Sequence, residues 1–134
     1  MTATIEGTFD VKIIPQPAET SAAGDVIGRM LLDKRFHGVL DATSTGQMLA
    51  MRSKVAGSAG YVAMELVRGT LAGRSGSFVL QHSGSMNRGA ASLSLNVVPD
   101  SGTDALEGLE GSMEIIIAEG KHSYKFDYSL PELS

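Results

Sequence analysis

Apolar and polar residues alternate one by one along most of this chain. Ile5, Gly7, Phe9, Val11 and Ile13 fall on one face, and Glu6, Thr8, Asp10 and Lys12 on the other, which is the period of a strand with one buried side. Pro15 and Pro17 stop the run because neither can donate to a ladder, and residues 16–24 read as a polar connection. Residues 25–37 are predicted as a second strand, with Val26, Met30, Leu32 and Phe36 on one face and Ile27 and Leu31 making the other apolar as well. A turn over 38–41 leads to a third strand over 43–54, and a turn over 57–60 to a fourth over 61–71.

The run from Gly69 to Gly84 is a β-hairpin: in through Gly and Thr, round Gly73-Arg74-Ser75-Gly76, and out along a fifth strand over 77–82. Met86-Asn87-Arg88-Gly89 reads as a turn, since Asn and Gly tolerate positive φ. In the sixth strand, residues 90–98, Ala91, Leu93, Leu95 and Val97 oppose Ser92, Ser94 and Asn96. Thr103 is placed to cap a single helical turn over 103–109, which Gly108 and Gly111 keep short. Met113, Ile115 and Ile117 mark a seventh strand, and an eighth over 121–130 puts His122, Tyr124, Phe126, Tyr128 and Leu130 on one face. Long strands joined by short turns, with almost no helix, predict an all-β fold: an eight-stranded antiparallel β-barrel spanning 1–134 as one domain. Such a barrel is either filled by side chains or just wide enough for one small ligand.

Composition narrows the function more than it defines it. The chain has no cysteine, so disulfides, thiol chemistry and Cys-type zinc sites are excluded. The net charge is −4 and the 11 basic residues are scattered, so nucleic acid is not an expected partner. The opening MTATIEGTFDVKII lacks a basic segment followed by an apolar run, and no stretch reaches the ~20 apolar residues that cross a bilayer. No membrane partner and a cytoplasmic location are therefore expected.

Candidate chemistry centres on the fourth and fifth strands. With a two-residue loop at Gly73-Arg74, Glu65 stands opposite His82; with the loop at Ala72-Gly73, Glu65 faces Leu80 and Ala63 faces His82. Either register puts Glu65, Val67, Phe78, Leu80 and His82 on one face, whereas a three-residue loop turns Gln81 toward Glu65's face. Inside a barrel, Glu65 and His82 would be a sheltered acid–base pair, able to move a proton or hold a ligand hydroxyl; the competing reading is a purely structural polar contact. Phe78, Leu80, His122, Tyr124 and Phe126 are the candidate ligand-binding residues, although the aromatic row Tyr124, Phe126 and Tyr128 reads first as a core stripe and only second as a ligand wall. The three histidines, His37, His82 and His122, lie on different strands without ligand spacing, so no metal site is expected. The methionines, Met48, Met51 and Met64 among them, read as core filler. Gly73–Gly76 has no helix after it and is a turn, not a phosphate nest.

Gly69-Thr70-Leu71 followed by Gly73–Gly84, then Val98-Pro99, Ser101-Gly102-Thr103, Leu106, Gly108, Leu109 and Gly111, resemble the signature of a small bacterial family catalogued only as a domain of unknown function. The resemblance runs from Gly7-Thr8-Phe9 to Asp127-Tyr128 and implies a barrel similar to allene oxide cyclase (calycin-like in appearance). Residues 102–111 are also similar to the glycine-rich segment of allene oxide cyclases and dirigent proteins, with Asp104 where those have a further glycine. What this implies is a cofactor-free barrel that takes an apolar molecule and assembles as a homo-oligomer. Three readings follow: a module binding a small apolar or amphipathic ligand; a cofactor-free isomerase or cyclase using Glu65 and His82; and a packed barrel serving oligomerisation through apolar outer faces such as that of residues 26–32.

Overall fold

The alternation closes on itself in a computed structural model that describes residues 2–18, 20, 24 and 26–131. The strands are β1 (Thr2–Pro15), β2 (Gly28–His37), β3 (Leu40–Arg52), β4 (Ala59–Leu71), β5 (Arg74–Asn87), β6 (Ala90–Val97), β7 (Glu110–Ala118) and β8 (Lys121–Ser129). Each pairs with the next in a closed barrel, and β8 returns to β1 with Thr2 opposite Ser129 and Thr8 opposite Ser123.

Strand bounds differ from the sequence expectation in instructive places. β2 begins at Gly28; Val26 and Ile27 precede it and are exposed, and Asp25 lies outside the described residues. β3 starts at Leu40, opposite Leu71, because Leu40 and Ala42 continue the inward row and are buried. The β4–β5 loop is the two-residue alternative Ala72-Gly73, with Leu71 opposite Arg74. Both loop residues have positive φ, 51° and 81°, the geometry whose twist matches that of the flanking strands. Thr103 precedes a 3₁₀ turn, Asp104–Leu106, without capping it by its side chain; its hydroxyl lies instead 2.7 Å from Ser77 Oγ.

Among the described residues, the interior is filled at one end only. There Phe36, Leu71, Phe78 and Phe126 are fully buried, and Leu106 and Leu109 from the connection between β6 and β7 cover them. Phe78 and Phe126 stack with centroids 6.0 Å apart, and Tyr124 Oη donates to the His37 carbonyl at 2.9 Å. At the other end, toward the β3–β4, β5–β6 and β7–β8 turns, the same inward rows continue as Ile13, Met86, Leu93 and Ile117, which are exposed. The barrel is also weakest here: β6 and β7 share a single register pair, Asn96 with Ser112. Among the described residues no further register pair joins these two strands.

Candidate functional site

Period-two alternation carries Tyr61, Ala63, Glu65 and Val67 of β4 inward, and Phe78, Leu80 and His82 of β5 inward beside them. Glu65 is directly opposite Leu80, and Ala63 opposite His82, so the acid and the imidazole are diagonal neighbours, close enough for long side chains to meet. They do: His82 Nε2 lies 2.5 Å from Glu65 Oε2. Lys34 of β2 donates to the same oxygen at 2.8 Å, and Ser44 of β3 donates to Oε1 at 2.8 Å. Every buried side-chain polar atom among the described residues has a hydrogen-bond partner.

Gly46 makes room for this arrangement. It stands opposite Glu65, and a Cβ there would lie 2.7 Å from Glu65 Cα and 2.8 Å from its Cβ. With no side chain in that place, Glu65 reaches diagonally to Ser44. Lys34 is opposite Ser44, which delivers the ammonium group to the carboxylate from the adjoining strand. The Lys34 Nζ also stands 5.2 Å from the Phe9 ring centroid and 5.9 Å from that of Phe36, near enough for their π faces to add attraction.

These contacts decide the charge on Glu65. Burial by itself raises its pKa; the His82 hydrogen bond, with the charge and hydrogen bond of Lys34, outweighs burial and holds it at about 2. Glu65 is therefore a carboxylate at all ordinary pH. Since a carboxylate only accepts, the His82 Nε2 carries the proton between them. Nδ1 points the other way, 3.4 Å from Tyr61 Oη. In the neutral imidazole Nδ1 accepts, so the phenol donates to it, through a bond at the long end of the useful range. Burial, and secondarily the negative charge of Glu65, push the Tyr61 pKa up, so the phenol stays protonated.

Tyr61 is where this buried row meets open space. A cavity of about 410 Å³ in the unfilled half of the barrel is lined by Tyr61, Met48, Ala50, Met86, Leu93 and Ile117 among others. Its walls are apolar, with Leu93 contributed by β6 and Ile117 by β7. Tyr61 lies across Gly84, its direct partner on β5; a Cβ at Gly84 would stand 3.0 Å from Tyr61 Cδ1 and 3.2 Å from Cζ.

The structure thus brings Glu65 and His82 together and places the other sequence candidates apart from the cavity. Phe78, Leu80, Tyr124 and Phe126 are packed in the filled half. His122 is half-buried, its ring edge-on to Phe9 at 5.3 Å, and His37 is on the outside, 2.8 Å from Asp10. Among the described residues no three His, Asp or Glu side chains gather closely enough to hold a metal ion, and no helix is long and apolar enough to cross a membrane. Sequence reasoning missed Lys34, Ser44 and Tyr61. The signal was present: Lys34 sits on the same alternating row as Leu32 and Phe36, and Tyr61 on the row of Glu65.

Residues 5–128 match the family described as "Protein of unknown function (DUF3224)". The barrel is similar to the crystal structure of a DUF3224 protein of unknown function from Shewanella oneidensis MR-1. That similarity has a TM-score of 0.91 and 48% identity, over 98% of this chain and 100% of that one. No curated protein matches.

Proposed function

This chain belongs to the DUF3224 family of proteins of unknown function, and we propose that its barrel binds a small apolar or amphipathic ligand in the unfilled half. The observation that carries this is the apolar cavity of about 410 Å³, which falls within the roughly 300–1,000 Å³ typical of small-molecule sites. Half-buried Tyr61, the outermost member of the Glu65–His82–Tyr61 row, gives it a polar group among the described residues.

The row also supports a second reading, a cofactor-free isomerase or cyclase using Glu65 and His82. Its protons would have to pass through Tyr61, because His82 lies behind it. Glu65 accepts from three donors and keeps a depressed pKa, which suits it to orienting His82 better than to taking a proton. Binding is therefore the reading the geometry favours. The third, a barrel acting through its outer surface, draws on the exposed Leu49, Val62 and Met64 of β3 and β4.

Titration with the neutral fluorophore N-phenyl-1-naphthylamine tests the proposal. Saturable binding is expected for the native chain, and its loss is expected in Ala91→Trp, which fills the cavity from an exposed position on β6. Binding unchanged by that substitution, or no saturable binding at all, refutes it. Deuterium uptake from D₂O at the α-carbon of 2-undecanone, abolished by His82→Gln, would mark the second reading instead.

A further inference from the structure

The chain is acidic overall, with net charge −4, yet its charges are not evenly spread along the barrel axis. The turns around the open mouth carry Lys54 between β3 and β4, Arg88 between β5 and β6, and Lys121 where β8 begins, against the single acid Glu119 among the described residues. Glu19 and Asp25, in the β1–β2 connection, lie outside those residues. The covered end carries Asp100, Asp104, Glu107 and Glu110. Basic side chains beside a low-dielectric hollow favour ligands of the opposite sign.

Arg52 joins this mouth to the cavity. It lies on the inward row of β3 with Met48 and Ala50, at the last register pair of the strand, opposite Ala59, and it lines the cavity. It has no hydrogen-bond or ion-pair partner among the described residues, unlike Arg29, which donates to Gln47, and Arg35, which pairs with Asp41. A guanidinium left unpaired at the lip of an apolar hollow is matched to a planar, two-oxygen anion.

The geometry points to a ligand class: a single-chain amphipathic anion, its hydrocarbon in the cavity and its carboxylate, or a like head group, at the mouth on Arg52. This rests on the ligand-binding reading above and specifies it. Size agrees with one chain. At the ~30 Å³ that a water-sized group occupies in a liquid, about 410 Å³ holds roughly 14 such groups. The opposite orientation, head inward, would set an anion beside Tyr61, where the Glu65 charge already disfavours the phenolate.

The test is displacement of N-phenyl-1-naphthylamine from the full chain by decanoate, 1-decanol and decyltrimethylammonium, at pH 8, low salt and below micelle formation. Decanoate is expected to bind about fivefold tighter than decanol, which is what one exposed charge contact yields, and decyltrimethylammonium most weakly. The advantage of decanoate should shrink in 0.5 M NaCl as the charges are screened. Arg52→Gln should remove most of it while leaving decanol binding unchanged, a result that also reports an intact fold. Equal affinity for decanoate and decanol, or an Arg52→Gln variant that weakens both alike, overturns the head-group assignment while ligand binding stands. Failure of all three amphiphiles, with no saturable fluorophore binding, overturns both.

Discussion

Replacing Glu65 by Gln changes almost no volume but removes the one negative charge that Lys34 contacts among the described residues. Lys34 is 7% exposed, so its ammonium group would stay buried with no carboxylate to balance it. The Gln amide could still accept from Ser44, yet its NH₂ would confront the donors of Lys34 or His82. Breaking a buried ion pair from one side costs about 3–5 kcal/mol. The Phe9 and Phe36 rings, at 5.2 and 5.9 Å from Nζ, attract the ammonium group before and after the change alike and do not offset this loss. A loss of about 3–5 kcal/mol is therefore expected, a large part of the ~5–15 kcal/mol that holds a domain folded. Urea unfolding at pH 7 reads it directly, as a midpoint lowered by on the order of 1–3 M. Lys34→Met together with Glu65→Gln leaves no buried charge and should recover most of the loss. A single Glu65→Gln variant within about 1 kcal/mol of the native chain, or a double variant no better than the sum of the singles, would refute the account of a charge-balanced interior.

The depressed pKa of Glu65, about 2 against an ordinary 4.5, makes stability depend on pH in a defined window. Its contribution is complete above about 4.5 and drains away as pH falls toward 2, by roughly 3 kcal/mol in all. Unfolding free energies measured from pH 6 to pH 2 should fall more steeply for the native chain than for Glu65→Gln; parallel slopes would contradict this. Gly46→Ala should destabilise by about 2 kcal/mol or more, because the new methyl meets the β4 backbone at Glu65; a thermal melt unchanged from native would show that the strands can spread. Gly84→Val should displace the Tyr61 ring and change its fluorescence and phenol titration, while Tyr61→Phe at an unaltered Gly84 should leave stability within about 1 kcal/mol. Amides of β6 directed at β7 should exchange with solvent much faster than those in the centre of β4, since one register pair joins that seam; equal protection would mean the seam closes in solution.

How much of this was written in the sequence depends on which physical rule governs each feature. Alternation gave the faces: Phe9, Phe36, Val67, Leu80 and Phe126 are all inward because each lies on an apolar row. The same rule held for Glu65 and His82, and the hairpin register needed only the turn, which Ala72 and Gly73 resolve by both taking positive φ. Lys34 and Ser44 follow the rule equally well, but their polarity argues for the outside until a buried carboxylate is known to need them. How far the interior is filled is another matter. It depends on residues 98–109 folding over one end, so that Leu106 and Leu109 complete a core with residues far away in sequence. The seam was illegible too: Leu93 and Leu95 alternate as regularly as any strand, and nothing local records that β6 and β7 share one register pair.

The pairing of β8 with β1 has a consequence for how the molecule is made. Thr8 and Ser123 are neighbours, so shutting the sheet requires the whole intervening chain to have been synthesised, and such long-range contacts form slowly. Until then β1 and β7 each present a bare edge, the kind of template on which nascent chains stick to one another. A growing polypeptide of this kind gains from a chaperone's shelter until its final strand emerges from the ribosome.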